Sequence, residues 1–132
     1  MSERFQFIIP GRPEHISVAR LAVGTVAANC GFDVEDIEDI KVAVGEACHL
    51  VSCHEKEGYV KEYEVECETE PGRIVIRLFN TSNELMEKTD KRCIDCPNEG
   101  EIGKILIKTL MDSAEVTVEE DKKTITMIKA KK

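Results

Sequence analysis

The chain has 132 residues, 42% hydrophobic and 33% charged, with a formal net charge of −8 at pH 7. That length supports one domain, 1–132, with a core of its own and no need of disulfide staples. The acidic balance argues against a broad basic face for nucleic acid, and no apolar run is long enough to span a bilayer. The N-terminal "MSERFQFIIPGRPE" lacks the apolar stretch of a secretory signal, so the expected location is the cytoplasm.

In chain order, "RFQFII" alternates with Phe5, Phe7 and Ile9 on one face, a strand ended by Pro10 and Gly11. From Pro13 the period changes. "PEHISVARLAVGTVAANCGF" brings Ile16, Ala19, Leu21, Val23, Val26 and Ala27 to a helix that opens on proline and closes at Gly31. Asp33, with Asp36 three residues on, is placed to cap a second helix. Its core seam is Ile37, Ile40, Val44, Ala47 and Val51. Beside that seam, Glu46, Leu50 and His54 stack four residues apart along one side.

"KEYEVECETE" turns Tyr63, Val65 and Cys67 away from a row of glutamates, and "EPGR" suits a type II turn into the inner strand "RIVIRLF". From Asn80 to Gly100 no period is sustained, which predicts a lid-like or partner-binding loop at 80–100. "EIGKILIKTLMDSA" reads as a helix with Ile102, Ile105, Leu106 and Leu110 inward, and "EVTVEEDKKTITMIKA" as a hairpin around Asp121. The sum is an α+β two-layer sandwich, a mixed, mainly antiparallel sheet with helices on one face.

Six cysteines in a chain without a signal read as free thiols. Cys30, Cys48 and Cys67 lie in apolar patterns. Cys93 and Cys96 form a single C-x-x-C, too few ligands for a structural zinc site. Lys91 and Arg92 beside them would lower a thiol pKa, which keeps a thiol or metal switch open as a reading.

The element order and three local motifs resemble the anti-sigma-factor serine kinases, a branch of the GHKL superfamily with the histidine-kinase-like ATPase fold. The first family motif reads E-A-x-x-N-x-x-x-H; here it is Glu46-Ala47-Cys48-His49-Leu50-Val51-Ser52-Cys53-His54. The resemblance makes Glu46 the general base and puts Leu50 where the family's asparagine holds magnesium. A hard cation takes oxygen ligands, and leucine has none. The second motif, D-x-G, receives adenine; Asn80-Thr81-Ser82 stands there, keeping a carbonyl but no charge and no glycine. The third is a glycine-rich approach to the last helix, whose N–H groups meet the phosphates. "EGEIGK" retains Gly100, Gly103 and Lys104, yet Glu101 replaces a small residue. A carboxylate about 4 Å from a phosphate charge costs on the order of 4 kcal/mol at an effective dielectric near 20.

The departures agree in direction. The sequence therefore predicts an anti-sigma-type regulator that binds a sigma factor or an anti-sigma antagonist, pairs as a homodimer as its relatives do, and has weakened or lost ATP binding and kinase activity. Glu46 is then a relic base, Asn80, Gly100, Gly103 and Lys104 a vestigial ATP site, and no metal is expected. The alternative is an active serine kinase using ATP and magnesium, with Asn29, Asn80 or Asn83 supplying the missing oxygen. The Cys93–Cys96 switch is the third reading.

Overall fold

Alternation in the first strand, β1 (Glu3–Pro10), turns Phe5, Phe7 and Ile9 to the interior, as the sequence predicts. The computed structural model describes residues 2–52, 60–80, 96–119 and 122–131, with backbone alone at 96–101 and 119. A short 3-10 turn at Pro13–His15 leads into α1 (Ile16–Asn29), which ends at Gly31 with φ +89°. Glycine adopts that left-handed conformation without a Cβ penalty.

Helix α2 (Val34–Ser52) starts where expected: the Asp36 N–H donates to Asp33 Oδ1 at 2.8 Å, satisfying an orphan donor of the first turn. Strands β2 (Glu62–Glu70) and β3 (Arg73–Asn80) follow, joined by a turn with Gly72 at φ +73°. Helix α3 (Cys96–Leu110) and strands β4 (Ser113–Glu119) and β5 (Lys122–Ala130) complete the order.

Among the described residues the sheet has five strands in the order β1-β2-β3-β5-β4, and their pairings are antiparallel. Helices α1, α2 and α3 pack on one face, α2 between α1 and α3. The core lies between the layers, where Ile40, Val44 and Val51 of α2 meet Val65, Ile76, Leu78 and Met127 of the sheet. Each such side chain, fully buried, contributes about 1.5–3 kcal/mol. Small residues bring the helices together: Gly24 lies under the Lys41 stem and Gly45 under that of Arg20.

The outer face of the sheet carries the glutamate row. One member is not solvated: Glu66 is buried between Arg4, at 2.6 Å, and Arg77, at 3.6 Å. On the inner face Lys129 is buried as well. Its Nζ donates to the Leu110 carbonyl at 2.6 Å and lies 3.8 Å from Asp39 Oδ2, tying the end of α3 to the start of α2. A cation at a helix C-terminus satisfies the orphan carbonyls there.

Two helix faces differ from expectation. Leu21 is 64% exposed, while Ala19, Val23, Val26 and Ala27 are buried. In α3, Ile102 and Ile105 are 57% and 64% exposed; Gly103, Ile107 and Met111 form the buried line, with Leu106 and Leu110 half-buried. The reason is steric. A glycine contributes nothing to an apolar count, yet it is the residue that lets α3 close onto α2. The segment 80–100 also divides: Asn80 ends β3 and 96–100 are helical, while 81–95 lie outside the described residues.

Candidate functional site

Helix α2 places Glu46 and Leu50 one turn apart on the side that faces α3. Both are half-buried, and Leu50 packs against the core. Gly103 of α3 sits against them: a Cβ built there would lie 3.0 Å from Glu46 Oε2 and 3.8 Å from Leu50 Cδ1. Lys104, the next residue, is half-buried.

Asn80 reaches the same end of the molecule at the close of β3 and is buried. Its Oδ1 accepts the Lys123 N–H at 2.8 Å. The Lys123 side chain then crosses from β5 to α2, where its Nζ donates to the Leu50 carbonyl at 3.2 Å. One residue thus bonds both Asn80 and Leu50. Sequence reasoning passed over Lys123, although the signal was present: alternation in "KTITMIK" puts Lys123, Ile125, Met127 and Lys129 on one face, lysines at both ends of an apolar run.

Across the β2–β3 pair from Asn80 stands Tyr63, fully buried, its hydroxyl facing the Cys48 thiol of α2. A thiol is a weak hydrogen-bonding group, so the Tyr63 hydroxyl lacks a full-strength partner. Burial pushes the Cys48 thiol up from 9.0 to about 12 and raises the Tyr63 hydroxyl too. Neither is a nucleophile at neutral pH.

The other predicted positions fall as follows. Glu46, Leu50, Asn80 and Gly103 come together around Lys123 and α3. Gly100 lies inside α3 rather than before it, since the helix starts at Cys96. The free N–H groups of a helix are those of its first turn, so the N–H groups of Gly100 and Gly103 belong to the helical ladder. Cys93, Asn83, Cys53 and His54 lie outside the described residues, and Asn29 ends α1 on the surface.

The family model described as Histidine kinase-like ATPase domain matches residues 9–129. The chain is 32% identical to the proteins named Serine-protein kinase RsbW from Bacillus thuringiensis (strain Al Hakam), Bacillus cereus (strain AH820) and Bacillus anthracis, over 91% of its own length and 82% of theirs. The chain belongs to the anti-sigma-factor serine kinase branch of the histidine kinase-like ATPase family.

Membership in an ATPase family implies ATP and magnesium, and the site can be tested for them. The residues do not fit the metal. Leu50 offers only a side chain without oxygen and a backbone carbonyl already bonded to an ammonium. A dication beside that ammonium is repelled, by about 4 kcal/mol per unit charge at 4 Å and an effective dielectric near 20. The described site thus holds the Glu46 carboxylate against Gly103 and the Lys123 ammonium on the Leu50 carbonyl.

Proposed function

We propose that this family member is an anti-sigma-type regulatory protein that holds a sigma factor or an anti-sigma antagonist, with magnesium–ATP binding and serine phosphorylation weakened or lost. One observation carries the reading: Lys123 bonds both Leu50 and Asn80, the positions matching the family's metal and adenine contacts. Phosphoryl transfer rests on metal and positioning, so a scaffold without them is left with binding. The intact two-layer fold supports a retained protein-binding role, and family membership supports partners of the sigma-factor and antagonist class, with a homodimer as the assembly. The absence among the described residues of a helix long and apolar enough to cross a membrane is compatible with a cytoplasmic setting.

Calorimetry with magnesium–ATP tests the loss directly. Binding tighter than about 100 μM, equivalent to roughly 5.5 kcal/mol, would restore the kinase reading. A pull-down from the native cytoplasm tests the partner class: recovery of a sigma factor or antagonist supports it, and recovery of no transcription-related protein counts against it. The kinase reading is favoured by Glu46, which keeps a carboxylate at the position of the family's base.

A further inference from the structure

We infer that Lys123 is an internal occupant of the nucleotide cradle: its side chain runs from the adenine end, beside Asn80, across to α2, so the cradle keeps its shape without a ligand. This rests on the proposed loss of nucleotide binding and adds its physical agent. The residue's backbone N–H anchors it to the Asn80 side-chain carbonyl, a bond that every side-chain variant keeps, so the variants differ only in the side chain. The side-chain half spans the gap between β5 and α2 and ends 3.2 Å from the Leu50 carbonyl. A lysine stem is apolar along its length and charged only at the tip, so it can lie over the buried Tyr63–Leu78–Ile125 end of the core while its ammonium meets a carbonyl of the last described turn of α2.

Three consequences follow from filling rather than merely losing the site. Leu50 alone is not what excludes nucleotide, so restoring an oxygen there does not restore binding. The stem, not the charge, does the excluding. Partner binding is then independent of nucleotide, because α2 and β5 are already joined.

The test uses the full chain and its Lys123→Ala and Lys123→Met variants, each checked for cooperative melting, with ADP as the probe in calorimetry with and without magnesium. The wild type and Lys123→Met, which keeps the stem, are expected to give no saturable binding at millimolar ADP. Lys123→Ala is expected to bind ADP at least about tenfold more tightly, and to do so without magnesium. A folded Lys123→Ala that binds no better than the wild type overturns the role of Lys123 while leaving the proposed loss of ATP binding intact. A wild type that already binds ADP overturns both. Should Lys123→Ala fail to melt cooperatively, the wild type decides by itself, through acetylation of its lysines read residue by residue. Slower modification of Lys123 than of exposed Lys122, unchanged by ADP, supports the proposal. Equal rates, or protection of Lys123 by ADP, refute it.

Discussion

Glu46 lies against Gly103 so closely that a Cβ on the glycine would come within 3.0 Å of the carboxylate Oε2. The contact joins the retained acid of α2 to the glycine that lets α3 approach it. The obstacle is the far end of a flexible side chain, which can rotate away. In a wild-type background Gly103→Ala therefore forces Glu46 to move, and this offsets the roughly 0.5–1 kcal/mol that alanine gains over glycine inside a helix. In a Glu46→Ala background the gain should appear in full. A double-mutant cycle by urea denaturation measures the coupling, expected at about 0.5 kcal/mol or more; strict additivity would show that the two residues do not interact.

Asn80→Ala leaves the Lys123 N–H without its 2.8 Å acceptor at a buried position. The expected cost is about 1–3 kcal/mol, the price of an unmet buried donor. Asn80→Asp keeps an acceptor and makes the bond charge-assisted, so it should retain more stability than the alanine variant at pH 7. The variants are compared with the wild type by chemical denaturation at neutral pH; an alanine variant as stable as the wild type would mean that the bond contributes nothing.

Gly11 and Gly31 separate two uses of glycine. A Cβ on Gly11 would overlap the Val60 carbonyl, while Gly31, at φ +89°, faces open space. Gly11→Ala is expected to cost about 2 kcal/mol or more, because backbone must shift. Gly31→Asn should cost under about 1 kcal/mol, since asparagine tolerates the left-handed region. Melting temperatures of the two variants give the order directly, and the reverse order would place the steric conflict elsewhere.

The buried thiols predict alkaline sensitivity. Burial raises Cys48 and Cys67 from 9.0 to about 12 in the folded state. Between those values the folded chain binds more protons than the unfolded one, so stability falls as pH rises. Their contribution is fully present below pH 9.0 and lost toward pH 12, with a slope of up to about 1.4 kcal/mol per pH unit for each thiol. Denaturant midpoints measured from pH 8 upward should begin to fall near pH 9, and a Cys48→Ala, Cys67→Ala double variant should show a shallower fall.

Much of this molecule was legible without coordinates, for local reasons. Alternation placed Phe5, Phe7 and Ile9 inward; spacing of three and four gave the α2 seam; and Asp33 announced its cap because capping is a bond between residues three apart. The motif positions were readable by resemblance, so Leu50 and Asn80 could be named as departures. What those departures had become was not readable. Ile102 and Ile105 looked like core and are exposed, because the buried face of α3 is chosen by the glycine that meets α2, and a glycine leaves no mark in hydrophobic periodicity.

Amino-acid order alone determined most of the elements and their sequence along the chain, since each depends on neighbours within a few residues, and resemblance to the family's motifs singled out Leu50 and Asn80. Only the tertiary structure decided what those two residues meet. Lys123 is 73 residues from Leu50 and 43 from Asn80, and it meets both because the sheet places β5 beside β3 and beneath α2. A bond across such a separation forms only when the whole fold has brought its ends together.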